Sequence, residues 1–429
     1  MPDAVVQSIT VTVPPLENAE RITLSMPQVL GDVAQIDALL RCQAYASEVA
    51  ETVESMKTSI EVGKSYFPVS YYGAKGDGTT DDTAAIQAAI NAAASVKGGE
   101  VVLGPGGHKV TSTLTWPSPP VWPAMVNFRG VNPSSYLSVN LNQPFDGNAI
   151  IKVAGSGLGQ FQSNVSLRDF YIYCWDDLYT DDPAHPVGIL VEDASAVQLS
   201  RVTVDGVNNN GILLRGVWDI YLDTVYVRAC GRRSSDESYG AVQIDSVGKT
   251  GLGTTNTIYM NGVDIEMYRG IGLYVNGMAW LHAVNCKLHA CSSSVPWASL
   301  CRENMVLSDV YGGSLCNFQV YGNTTSVLGS SSGAITFGGA HDSVTLSNFL
   351  VWANADDRPV LIKSSVVGGG ISIDNMHFGT NTNTDGYIKI ENGAGWVTRL
   401  GNITKNTTSQ VQIINDGRLG SLPIETAAW

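Results

Sequence analysis

The sequence predicts an all-β solenoid: one column of stacked coils, closed at its start by a short helix. Two observations carry this expectation. The phrase Gly followed by alternating apolar residues recurs at Gly188, Gly211, Gly240, Gly270 and Gly333, and the first four are spaced by 23, 29 and 30 residues, which brackets one turn of a solenoid. A second alternating strand follows, seen as VSLRDFYI, VQLSRVTV, IYLDTVYV, IYMNGVDI, LHAVNCKL, VTLSNFLV and ISIDNMHF, and these align without gaps. The period is two throughout, which excludes amphipathic helices, and the outward positions are polar, which excludes a lipid-facing barrel.

Taken from the N-terminus, residues 1–27 hold two short strands, VVQSITVTV and ERITLSM, parted by Pro14 and Pro15. Residues 28–65 read as a helix whose Leu39, Cys42, Ala46, Val49, Val53, Met56 and Ile60 recur at spacings of three and four, the seam of a coiled coil. Val29, Val33, Ile36 and Leu40 follow another phase, as at a stutter. Residues 66–115 form the lid: an apolar strand Phe67 to Tyr71, the turn GAKGDG, an Ala-rich helix and the strand EVVL. Asp81 and Asp82 are placed to accept from the free amides of that helix's first turn, while Ile86, Ile90 and Ala93 make one buried stripe. Such a lid covers the strand edge and core that an unpaired coil would expose. Residues 116–405 carry the coils, and 406–429 are the end of the chain.

In the coils, Val197, Leu199, Val202 and Val204 point inward, as do Ile220, Leu222, Val225 and Val227 one turn later. Between the two halves of the strand stands a column of Arg201, Thr224, Gly262, Asn285, Asn348 and Asn375. Asn tolerates the backbone angles of a bend and bonds to its stacked copy, so this column is structural.

Stacking makes equivalent outward positions neighbours about 4.8 Å apart. One column reads Ser166, Gln198, Tyr221, Tyr259, His282, Thr345, Ser372. A second reads Tyr171, Thr203, Tyr226, Asp264, Lys287, Leu350, His377, and a third Tyr173, Asp205, Arg228, Glu266, His289. Asp205 and Glu266 are two coils apart, roughly 9.6 Å by that spacing, and glycoside hydrolysis by inversion asks for carboxylates ~6.5 to 9.5 Å apart. Asp205, Asp264 and Glu266 are therefore the candidate catalytic residues, with Tyr221, Tyr226, Tyr259, His282 and Arg228 as candidate glycan contacts. The competing explanation is a solvated ladder of alternating charge, as in the similar series Glu192, Arg215, Asp245. The loop CWDDLYTDDPAHP offers Asp176, Asp177, Asp181 and Asp182 to Ca²⁺ or to a sugar, but it lacks EF-hand spacing and reads rather as plain surface.

Composition narrows the classes. A net charge of −14 over 429 residues disfavours nucleic acid and anionic membranes as partners. No apolar run approaches the roughly 18 residues of a membrane span. The first residues lack a basic and apolar leader, so export is not expected. Seven cysteines without a CxxC pair read as free, buried thiols.

The combination GAKGDG, TDDTAAIQAAI and GGEVVLGPGG resembles the opening segment of the pectate-lyase-like superfamily, the right-handed parallel β-helices that include rhamnogalacturonase-type enzymes and bacteriophage tailspikes. The likeness covers about fifty residues. It departs where the superfamily has Pro-Pro-Gly and then an aromatic, and this chain has Gly104, Pro105, Gly106, Gly107, His108. The order of strands, helical neck and β-helix is similar to tailspikes, which implies a virion-attachment head in 1–27, a trimerising neck in 28–65 and phage tail or baseplate partners for both. It implies a homotrimer, made in the host cytoplasm and carried on the virion, that recognises and depolymerises a bacterial surface polysaccharide without a cofactor. Rival readings are a non-catalytic spike or adhesin and a free pectinase. The GHG motif of polygalacturonases is absent, and Arg228, Arg269 and Lys287 are the available bases for a lyase.

Overall fold

The computed structural model describes residues 8–10, 23–25, 65–117, 125–156, 161–175, 185–231, 239–249, 254–290, 303–322, 333–352, 358–379, 388–391, 394, 396–405, 413–415 and 424–425. The chain divides into two compact units, Met1–Lys64 and Ser65–Trp429. In the first, Ser8–Thr10 and Thr23–Ser25 pair antiparallel, as a hairpin of the two predicted strands would. The coiled-coil segment and the Asp-rich loop at 176–182 lie outside the described residues.

The second unit is a right-handed parallel β-helix. Every described pairing within it is parallel and joins a strand to its equivalent one coil away. Three faces result. Strands such as Ile212–Arg215 and Gly240–Asp245 build the first, Trp218–Asp223 and Asn256–Asn261 the second, Tyr226–Arg228 and Asp264–Glu266 the third. The pairing continues past residue 405, with Ile388–Ile390 on Ile413–Asn415 and Leu400 opposite Ile424.

Alternation fixes which side chains fill the column. All eight predicted inward residues, from Val197 to Val227, are buried. Higher in the stack Phe318 and Phe349 lie ring on ring, 4.8 Å apart and 1° from parallel. Cys174, Cys230 and Cys286 are buried and unbridged, and Cys316 is half-buried. Burial raises the thiol pKa of all three buried cysteines, to about 12 at Cys230 and about 11 at Cys286.

The bend between second and third faces needs a left-handed residue in every coil. Arg201, Thr224, Gly262, Asn285, Asn317, Asn348, Asn375 and Asn402 all have φ between 49° and 63°. Asn is the non-glycine residue that adopts this region most readily. From Asn285 onward the side chains form a ladder: Asn317 donates to Asn285 at 3.2 Å, Asn348 to Asn317 at 3.1 Å, Asn375 to Asn348, and Asn402 to Asn375 at 2.8 Å. Replacing Asn348 by Ala breaks two of these bonds and leaves a β-carbon in the left-handed region, so a loss of about 1–3 kcal/mol is expected. Urea unfolding of the variant checks it.

The lid differs from expectation in two places. The first strand is only Tyr66–Pro68, followed by a 3₁₀ turn Val69–Tyr72 that leaves Tyr71 exposed, because Gly73 at φ 101° closes the turn. The helix Thr83–Ser95 buries Ile86, Ile90 and Ala93 as predicted. Asp81 accepts from the Thr83 amide at 3.0 Å, as a cap should, but Asp82 does not cap. Its carboxylate turns back to the amides of Lys75 (2.7 Å) and Gly76 (2.9 Å) and to Nδ1 of His108 (2.7 Å). His108, where the superfamily carries an aromatic, thus pins the glycine turn onto the first coil. Asp82 and His108 are 1% and 3% exposed. Leaving buried groups without their hydrogen-bond partner costs about 1–3 kcal/mol. Asp82→Ala is expected to lower the melting temperature and to speed amide exchange at Lys75 and Gly76 first.

Candidate active site

The strand register confirms the columns drawn from sequence and adds one coil to each. Ser314, Gln319 and Tyr321, on the strand Gly313–Tyr321, stand between the neighbours expected from sequence, so the third column continues His289, Tyr321, Trp352.

Asp264 and Glu266 share the strand Asp264–Glu266 and, being two residues apart, point to the same side. Glu266 accepts from the Tyr226 hydroxyl at 2.7 Å and from Lys287, with His289 Nδ1 3.9 Å away. The Lys287 ammonium also lies 3.6 Å from Asp264 Oδ2, while Asp264 Oδ1 is buried and makes no hydrogen bond. These surroundings separate the two acids. Burial, reinforced by the charge of Glu266, lifts Asp264 to about 6. Burial also pushes Glu266 upward, but the bonds from Lys287 and Tyr226 outweigh it and hold Glu266 below the usual glutamate value. At pH near 6, one carboxyl is therefore half protonated beside an ionised one, the division of labour that acid–base chemistry requires. Burial and Glu266 raise the Tyr226 hydroxyl pKa, so Tyr226 stays a donor, and burial lowers His289, which is neutral at pH 7.

Asp205 stands two coils below Glu266 with Arg228 between them, as the stacking rule required. It is nearly buried and accepts from Tyr171 at 2.7 Å and Arg228 at 3.3 Å. Aromatic rings flank the acids on both sides along the axis: Tyr171 beside Tyr173 below, and His289, Tyr321 and Trp352 above, the last two 4.6 Å apart. A concavity of about 670 Å³ bordered by Arg129, Asp169, Tyr171, Arg201 and Thr203 opens at the lower end.

Tyr221, Tyr259 and His282 do not join this group. They stack on one another on the second face, across the bend, in a separate cleft of about 560 Å³ that none of Asp205, Asp264 and Glu266 lines. Sequence grouping merged the two faces because both alternate outward on one continuous segment. Arg269 is buried against Asn208 and presents no base to a substrate. Lys287, Tyr321 and Trp352 are the functional candidates that sequence reading undervalued. The signal for Tyr321 was the register of the unrecognised coil, and for Trp352 its place just past the aligned strand VTLSNFLV. Among the described residues no group of three or more metal-binding side chains occurs.

The family model of Rhamnogalacturonase A/epimerase, pectate lyase-like, matches residues 66–293, just over half of the chain. Depolymerase 1, capsule KN3-specific, of Klebsiella phage KN3-1 is 26% identical over 240 residues, which cover 49% of this chain. The match spans 28% of that relative's length. Among solved structures, the Agl-KA catalytic domain has a TM-score of 0.56 at 15% identity, over 84% of this chain and 68% of that one. The Dettilon tailspike protein has a TM-score of 0.46 at 14% identity, over 80% and 69%. The Agl-KA likeness is one of fold.

Proposed function

The chain belongs to the pectate-lyase-like Rhamnogalacturonase A/epimerase family, and from that premise we propose that it is a phage tailspike β-helix that depolymerises a bacterial surface polysaccharide. The observation that carries the reading is the pair Asp264 and Glu266, one carboxyl raised to about 6 and the other held ionised on the same strand. The kinship with a capsule-specific phage depolymerase supports the substrate class.

In this mechanism Asp264 is the general acid and gives its proton to the departing glycosidic oxygen. Glu266, kept ionised by Lys287 and Tyr226, takes a proton from the water whose oxygen bonds to the anomeric carbon as the glycosidic bond breaks. The Lys287 ammonium, 3.6 Å from Asp264 and bonded to Glu266, keeps the two carboxyls together on one side of the strand, within reach of a single sugar. Asp205 does not react; it holds the half-exposed Arg228 toward the sugar chain. Tyr173 and Trp352, both exposed, offer apolar surface along the polymer. Residues 1–27 serve as the virion head and 28–65 as a trimerising neck, which places the protein on the phage tail.

Incubation with surface polysaccharide purified from a susceptible host tests this. New reducing ends report hydrolysis, and an ultraviolet-absorbing unsaturated uronate reports elimination. Binding without either product leaves a non-catalytic spike and overturns the enzyme. A monomer by light scattering overturns the trimer.

A further inference from the structure

We propose that the cleft on the second face is a second glycan site, one that holds neutral sugar residues of the polymer without cleaving them. The inference rests on the depolymerase reading and deepens it. Three features of the cleft point there.

Its rings are prearranged. Within the cleft Tyr221 and Tyr259 stack at 4.9 Å and 8° and Tyr259 and His282 at 5.3 Å and 14°; beside its lining Trp280 lies parallel to His282 within 5° at 6.5 Å and extends the row. Tyr221 is 43% exposed and Trp280, in the adjoining column, 49%, although large aromatics gathered on one face are costly to leave in water.

The stack ends in a step. The next coil places Gly312 and Ser314 opposite Trp280 and His282, and a β-carbon at Gly312 would fall 2.5 Å from the Trp280 ring. Ser314 is too short to cover the His282 ring. Beyond the step the column continues with Thr345 and Ser372, a strip of hydroxyls. An aromatic shelf leading into a hydroxyl lane suits a pyranose chain, whose C–H faces pack on rings and whose hydroxyls pair with short polar side chains.

The chemistry of the rim selects the ligand. Gln198, Asp223, Asn261 and Ser314 border the cleft, and among the described residues no Lys or Arg lines it. A uronate or phosphate would meet Asp223, and the nearby guanidinium of Arg201 is already taken by Asp169. Amides and hydroxyls match neutral sugars instead. The third face, with Arg228 and Lys287, differs in this respect. The two faces meet at the asparagine bend, so one polymer strand is held on the second face while another stretch is cut on the third.

The test uses the full chain and affinity electrophoresis in gels cast with a panel of purified bacterial capsular and O-antigen polysaccharides, followed by turnover of the polymer that binds and of its short oligosaccharides. Ser314→Trp, which fills the step from a surface position, and Trp280→Ala are each expected to weaken retention roughly tenfold or more and to slow polymer cleavage, with oligosaccharide turnover unchanged. Asp264→Asn should do the reverse, abolishing turnover and keeping retention. Unchanged retention in both Ser314→Trp and Trp280→Ala overturns the second site, as does a wild-type protein retained by no polysaccharide or only by those without neutral residues. Loss of oligosaccharide turnover in both variants, with melting temperature intact, also overturns it, because the faces would then be one site. Retained turnover in Asp264→Asn counts against the catalytic reading alone.

Discussion

Asp264→Asn and Glu266→Gln are each expected to reduce polysaccharide cleavage by about 10²–10⁴-fold, the span that positioned proton transfer contributes. The melting temperature should fall little, since neither side chain fills the core. The pH profile separates their roles. If Asp264 delivers the proton, wild-type turnover declines as pH rises through about 6, where its carboxyl ionises. In Glu266→Gln a negative charge that raises Asp264 is gone, so the decline in residual rate moves to lower pH. In Asp264→Asn that limb disappears. Stability follows the same group with a definite sign. The folded state binds this proton more tightly than the unfolded chain, whose ordinary value is 3.8. The stability it contributes is present below that value and is lost as pH climbs from about 4 to about 6. A titration of unfolding free energy against pH should show this slope in the wild type and not in Asp264→Asn. A pH-independent wild-type rate between 5 and 7, a range bracketing about 6, would remove Asp264 from the acid role.

Phe349→Ala is expected to cost about 3–5 kcal/mol, the range for emptying a buried aromatic site. The reason for the upper part of that range is local. Phe349 lies face to face with Phe318 and is followed in the same inward column by Met376, and parallel strands one coil away have little freedom to close the void. Because each coil touches only its neighbours, the loss should be confined. Hydrogen exchange should quicken in Gly313–Tyr321, Gly333–Trp352 and Val367–Phe378 while the lid stays protected. Uniform loss of protection along the column would show a more cooperative molecule than the stacking implies.

Much of the column could be read from the chain because one rule, period two, fixes both the inward set and the register. Val197 to Val227 fell inward, and Tyr221, Tyr259 and His282 fell in line, from gapless alignment alone. The coil at Gly313–Tyr321 escaped because its segment begins Gly-Ser, where the other coils open on an apolar side chain, although its Asn317 falls in the bend column. The bond between Asp82 and His108 was hidden for a different reason: the partners are 26 residues apart, and capping was the available local explanation. The functional site was legible as a set of carboxylates and aromatics but not as a working arrangement. That Asp264 is raised and Glu266 lowered depends on burial and on Lys287 in the next coil. That the tyrosine stack faces a different direction depends on a bend at a single residue, which alternation does not see.

The thiols sealed among the coils have a practical consequence for a protein exposed to air. Thiolate is the form that oxidants and alkylating reagents attack, and Cys174, Cys230 and Cys286 are both shielded from solvent and disinclined to ionise. These three positions neither scramble nor crosslink while the column is closed, and they are alkylated by a probe such as iodoacetamide only when the rungs part, so their labelling becomes a clock for opening of the shaft.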